Sequence, residues 1–208
     1  MKARNFSTWA ALIAAVGTVV GGGVGQAKAA LLYDNGPLNG LVQAYQLGGA
    51  FQCTDSFTLT APASLTEAQV GLWVNSGDVP NTVDWSIGSA AYGSDLGSAS
   101  GVALTNTFVA SHSNVGPEHL NFDDYESTFP ITGTLAAGTY WLTLTNDTPV
   151  TSLGVFWDQN SGPSSAFATV VGSAPSESFQ IYGDAVPEPA SLGLLGLGAA
   201  MFLARRRH

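Results

Sequence analysis

The chain has 208 residues, of which 45% are hydrophobic and only 10% charged, and its six Lys and Arg against fifteen Asp and Glu give a formal net charge of −9. The bases are confined to the ends (Lys2, Arg4, Lys28, Arg205, Arg206 and Arg207), whereas every acid lies between Asp34 and Glu188. Nucleic-acid binding is excluded for want of Lys or Arg to neutralise phosphates, and an anionic substrate would find no arginine clamp. The middle of the chain must hold together by burial and backbone hydrogen bonds, and divalent cations or salt would relieve the repulsion among its acids. The single cysteine, Cys53, rules out an intrachain disulfide and reads as a buried small hydrophobe.

Residues 1–29 predict a secretory signal peptide. Lys2 and Arg4 form a basic start, "FSTWAALIAAVGTVVGGGVG" an apolar, helical centre, and Ala27-Lys28-Ala29 a small-x-small cleavage pattern flanked by Ala27 and Ala29. Lys2 and Arg4 are not adjacent, which favours the Sec route over the twin-arginine route. The mature chain is expected to begin near Ala30.

Residues 30–184 show period-two alternation and no helical period. "QCTDSFTLT" and "AQVGLWV" come first. "NTVDWSI" places Val83, Trp85 and Ile87 on one face, followed by "LTNTFVA". "GTYWLTLTN" sets Tyr140, Leu142 and Leu144 against Thr139, Trp141 and Thr143, and "SLGVFWD" and "ESFQIYG" close the series. Turn-forming stretches such as "NGPLNG", "NSGDVPN" and "NSGPSS" separate them. About nine or ten such strands predict an all-β fold, a single jelly-roll-like antiparallel β-sandwich over 30–184. No fixed repeat period points to a solenoid.

Chemistry is sparse in this domain. No G-x-S-x-G elbow occurs; Gly162-Pro163-Ser164-Ser165-Ala166 is the nearest approach, and Pro163 and Ala166 break it. Glu118, Asp123, Asp124 and Glu126 form an acidic cluster, and a glycosidase needs two carboxylates about 5–10 Å apart. Its polar surroundings read as a solvated loop or exposed edge, with calcium binding and catalysis as lesser readings. A calcium ion wants six to eight oxygens. Asp34 (with Asn35) near the start and Asp158 and Asn160 near the end are the candidate ligands, although no EF-hand-type loop is present. His112 and His119 are seven residues apart, which puts them on opposite faces of one strand and argues against zinc. Trp141 and Trp157 are the candidate sugar-contacting aromatics, against the alternative that tryptophans fill the core. No catalytic residues emerge, and calcium is the only candidate cofactor.

The C-terminus reads "VPEPASLGLLGLGAAMFLARRRH". Pro187 and Pro189 flank Glu188 and keep the chain extended, as a processing enzyme requires. Ala190 to Ala204 are fifteen apolar residues, a helix of about 22 Å against a bilayer core of about 30 Å. Arg205, Arg206 and Arg207 follow, to be left on the cytoplasmic side. The order of these parts resembles a PEP-CTERM sorting signal: Pro187-Glu188-Pro189 match its motif, Leu192 to Ala204 its hydrophobic helix and Arg205 to Arg207 its basic end. The resemblance implies recognition of residues 185–208 by an exosortase, an integral membrane protease or transpeptidase-like enzyme of Gram-negative bacteria that make exopolysaccharide. It also implies Sec export, transient inner-membrane anchoring through a short transmembrane helix, and then release to the cell surface or matrix. The stretches "YDNG", "DSFTL", "VDWSIG", "AAGTYWLTL", "FWDQNSGPSSAF" and "SESFQIYG" are similar to ectodomains of other PEP-CTERM-anchored proteins, a family without an assigned activity. The expected function is a non-enzymatic structural or adhesive surface protein associated with exopolysaccharide or biofilm. The alternative is a carbohydrate-binding, calcium-dependent module, and a secreted hydrolase ranks third.

Overall fold

The computed structural model describes residues 29–40, 43–113, 120–149 and 154–186. They form strands β1 (Ala30–Asp34), β2 (Ala44–Leu47), β3 (Gln52–Leu59), β4 (Ala63–Asn75), β5 (Pro80–Gly88), β6 (Gly97–Ala103), β7 (Thr105–Ser113), β8 (Asn121–Leu135), β9 (Gly138–Pro149), β10 (Val155–Asp158), β11 (Ala166–Ala168), β12 (Gly172–Ala174) and β13 (Phe179–Ala185). No helix occurs among the described residues, and none there is long and apolar enough to cross a membrane. The signal-peptide helix and the C-terminal transmembrane helix expected from the sequence lie outside the described residues.

Two antiparallel sheets share the strands. In the first, β4 is the long central strand. One of its edges pairs with β8; the other pairs with β13 over Ala63–Val70 and with β10 over Leu72–Val74. β1 flanks β13, β2 flanks β10 and β7 flanks β8. The second sheet runs β12-β11-β3-β9-β5-β6. The all-β expectation of two antiparallel sheets is met.

The alternation in the sequence builds the core. Val83, Trp85 and Ile87 all point inward from β5, as do Leu142 and Leu144 from β9 and Phe179 and Ile181 from β13. Cys53, Phe57 and Leu59 do the same from β3. Phe57 meets Tyr33 and Phe179 of the opposite sheet at ring-centroid distances of 6.1 and 6.5 Å, so the two inner faces interdigitate. β4 departs from alternation: Leu72, Trp73 and Val74 are all buried. The outward Trp73 is covered by His112 of β7 and Phe122 of β8, with ring centroids 4.3 and 5.7 Å away.

The expectation of a solvated acidic loop at "FDDYESTF" is corrected. These residues lie in β8, between β4 and β7, and Asp123 and Asp124 are buried. Neighbouring strands and turns supply their donors. Ser76 Oγ, Gly77 N and Ser111 Oγ donate to Asp123 at 3.1, 2.8 and 2.6 Å, holding its carboxyl below the usual range. His112 Nδ1 lies 3.0 Å from Asp124 Oδ2, while burial raises the Asp124 carboxyl.

Candidate functional site

β10 and β13 lie end to end along one edge of β4, and the chain between them leaves the first sheet, contributes β11 and β12 to the second, and returns. The neck of this excursion is tied by Ser178 N to Asp158 O (2.8 Å) and Asn160 N to Ser176 O (2.9 Å). Where the neck passes the end of β1, a polar cluster fills the gap between the sheets. Asp55 reaches it from β3, on the same inward face as Cys53 and Phe57.

Asn35 is at its centre and is fully buried. Its Nδ2 lies 2.7 Å from Ser164 Oγ, 2.7 Å from Ser176 Oγ, 2.6 Å from Glu177 O and 3.1 Å from Asp55 Oδ2. Its Oδ1 accepts from Tyr33 OH at 2.9 Å. Its backbone carbonyl accepts from Asn160 Nδ2 at 2.7 Å. Asp55 Oδ2 also accepts from Ser164 Oγ (2.8 Å) and Glu177 N (2.7 Å), and its Oδ1 from Ser56 N (2.6 Å). Gly162 presses on the cluster so closely that a Cβ there would lie 2.2 Å from Asn35 O.

The acids here have no Lys or Arg to pair with. Burial pushes Asp55 up to about 6, against the opposing pull of its hydrogen bonds from Glu177 N, Ser164, Ser56 N and Asn35. Glu177 is raised well above the carboxylate range by burial and by the neighbouring Asp55. Its Oε1 accepts from Cys53 Sγ at 3.5 Å and its Oε2 is buried with no hydrogen-bond partner. Burial raises the Cys53 thiol as well, with Glu177 adding to the shift. Asp158 is pushed up to about 6, again by burial first, with the Asn39 and Gly40 amides and Trp73 pulling the other way.

The predicted calcium ligands are each engaged in hydrogen bonds within the chain. Asp34 is exposed and accepts from Gly36 N and Gln180 Nε2 at 2.9 and 3.0 Å. Asp158 is buried, with Oδ1 accepting from Gly40 N (3.1 Å) and Trp73 Nε1 (2.7 Å) and Oδ2 from Asn39 N (3.0 Å). Asn160 Oδ1 accepts from Gly162 N at 2.9 Å. Each of these oxygens accepts from an N–H of the chain, and no group of three or more His, Cys, Asp or Glu among the described residues is arranged to hold a metal ion.

Trp157, a candidate sugar contact, is corrected to a core residue. It has no exposed surface, its ring meets Phe179 at 5.8 Å, and its Nε1 donates to Ser178 O at 2.9 Å. Trp141 points the other way, half-buried on the outer face of the second sheet with its ring 5.6 Å from Phe167. Ala29 directly precedes β1, whereas Ala27 lies outside the described residues, as do Pro187, Glu188, Pro189, Arg205, Arg206 and Arg207. The sequence reading missed Tyr33, Asp55, Ser164, Ser176 and Glu177. One signal for Asp55 was present: in "QCTDSFTLT" it shares its parity with Cys53, Phe57 and Leu59, the core-facing set.

β13 ends at Ala185, and Val186 N still donates to Pro62 O at 2.9 Å, so the domain runs without a spacer into the tail. Residues 185–207 match the family model described as the PEP-CTERM protein-sorting motif. The chain carries a PEP-CTERM sorting signal. Such a signal implies export, recognition by exosortase, and membrane-anchored sorting to the surface. No curated protein and no solved structure matches the chain. Four stretches of the sequence supply the buried cluster: Tyr33 and Asn35 from "YDNG", Asp55 from "DSFTL", Asn160 and Ser164 from "FWDQNSGPSSAF", and Ser176 and Glu177 from "SESFQIYG".

Proposed function

We propose that this protein is a structural or adhesive component of the cell surface or exopolysaccharide matrix, exported by the Sec route and delivered by exosortase, without enzymatic turnover of an external substrate. The carrying observation is the PEP-CTERM segment at 185–207, which begins at the last residue of the sandwich's final strand. An adhesive role is supported by β7, an edge strand that exposes Phe108 (55%) and Val109 (48%), the kind of apolar edge that monomeric proteins avoid. After sorting removes the tail and the leader is cleaved, the domain keeps no Lys or Arg at all, so contacts with acidic polymers would need a bridging cation.

Glu188→Ala, and separately Arg205, Arg206 and Arg207 all to Ala, should leave export intact and block sorting. In an exosortase-positive host, fractionation should find the variants retained in the inner membrane while wild type reaches the surface. Unchanged location and processing of both would refute the sorting reading.

A second reading, carbohydrate binding, is favoured by the Trp141–Phe167 pair on the outer face, since sugars stack on exposed aromatic rings. Wild type and Trp141→Ala should then differ in retention on neutral glycans by about 10-fold, a loss of ~1.4 kcal/mol of the sort aromatic contacts supply. Binding abolished by a chelator would assign calcium to the site; equal retention of both proteins removes Trp141 from consideration.

A further inference from the structure

We propose that Asn35 and Ser164 become joined by an intramolecular ester, formed by the folded chain on itself. The groups that the chemistry needs already touch one another. The nucleophile is Ser164 Oγ, which donates to Asp55 Oδ2 at 2.8 Å and lies 2.7 Å from Asn35 Nδ2, one bond from the amide carbon. The base is Asp55, which also sits 3.1 Å from the nitrogen that must leave. The oxyanion donor is Tyr33 OH, 2.9 Å from Asn35 Oδ1. Asn35 and Asp55 are fully buried and Ser164 half-buried, so water is largely excluded and a path to solvent remains on the Ser164 side. A primary amide has two hydrogens, yet four oxygens crowd Nδ2 within 3.1 Å, which holds nucleophile and electrophile together.

The step balances without a co-reactant. Ser164 Oγ gives its proton to Asp55 and bonds to Asn35 Cγ, and negative charge collects on Oδ1, where Tyr33 meets it. Asp55 passes the proton to Nδ2. The C–N bond breaks, its electron pair leaves with nitrogen as ammonia, and the carbonyl reforms as an ester. Loss of ammonia to solvent drives the exchange, and burial keeps water from hydrolysing the product. The burial-raised Asp55 carboxyl is suited to accept and return a proton near neutrality. The link would join positions 129 residues apart, tying edge strand β1 to the excursion between β10 and β13 in a chain with one cysteine. It would do the work of a disulfide by closing a long loop.

The competing chemistry is attack on Asn35 by the Gly36 amide, which also expels ammonia. Peptide mapping of the purified exported protein under denaturing, mildly acidic conditions separates the two. The proposal predicts one species containing both the Asn35 and Ser164 peptides, lighter than their sum by one ammonia and split by hydroxylamine. Ser164→Ala, with its native fold verified by near-UV circular dichroism, should yield two separate, unmodified peptides, and Tyr33→Phe should form the link about 100-fold more slowly. Separate unmodified peptides in wild type would overturn the proposal. So would an ammonia loss that persists in Ser164→Ala, which would assign it to a succinimide at Asn35-Gly36.

Discussion

Thermal unfolding of the protein is expected to be most resistant near pH 4 and to weaken steadily up to about pH 6. Four carboxyls cause this. Asp55 and Asp158 are held up to about 6 by burial, and Glu177 and Asp147 are raised well above the ordinary value by the same cause. In the unfolded chain these groups lose their protons near pH 4. Between pH 4 and 6 the folded state therefore binds more protons than the unfolded state, and raising the pH favours unfolding. Stability contributed by protonation is fully present below about pH 4 and lost by about pH 6 for Asp55 and Asp158. A carboxyl held at about 6 in the fold and near 4 in the unfolded chain corresponds to roughly 3 kcal/mol per group. For a domain of this size that is a fall in Tm on the order of 10 °C or more. Asp123 sets the acid limit, because its lowered carboxyl supports the fold only while ionised. Glu177→Gln should raise stability at pH 7, by replacing a carboxyl whose ionised form the buried site disfavours with a neutral amide, and should change little at pH 4. A Tm that rises between pH 4 and 6, or a Glu177→Gln variant destabilised equally at both values, would contradict this picture of the cluster.

Replacing Gly162 with alanine should unfold or severely weaken the domain. The added Cβ would lie 2.2 Å from Asn35 O, 2.7 Å from Asn35 Oδ1 and 2.8 Å from Ser176 Oγ. The nearest obstacle is backbone, and it is not free to retreat: Asn35 N donates to Phe179 O at 2.9 Å, and Asn35 O receives Asn160 Nδ2 at 2.7 Å. Relief requires moving the 159–162 turn, which breaks the Asn160 bonds and leaves buried polar groups unpaired. Overpacking costs about 1–3 kcal/mol and each orphaned buried group about 1–3 more, so a total near 4 kcal/mol is expected. Ser161→Ala, at the exposed neighbouring position, should change stability by less than about 0.5 kcal/mol. Chemical denaturation of the two variants side by side checks the contrast. A Gly162→Ala protein as stable as Ser161→Ala would mean that the turn is not locked against Asn35.

The difference between what the sequence displays and what it hides follows from range. β5 and β13 bury one face and leave the other half-open, so their period-two pattern is visible in a few adjacent residues. β8 was hidden because Asp123 and Asp124 look like surface residues; their donors Ser76, Gly77, Ser111 and His112 come from other elements. β10 is four residues long with Val155, Trp157 and Asp158 all buried, so parity does not separate a core tryptophan from a surface one there. Trp141 and Trp157 were therefore indistinguishable as candidates until the sheets were placed. The polar cluster was the least legible feature, since Asn35 finds Ser164, Ser176 and Glu177 across 129 to 142 residues of chain. The tail stood at the other extreme: its meaning rests on 23 contiguous residues read in order, independent of any tertiary contact.

Handling by exosortase is the claim on which the proposed function depends, and the mature C-terminus reports it directly. Protein recovered from an exosortase-positive host should lack Arg205, Arg206 and Arg207, with its C-terminal peptide ending in or near the 187–189 motif. The same protein from a host deleted for exosortase should keep the three arginines. An intact C-terminus in both hosts, or identical trimming in both, would contradict the account.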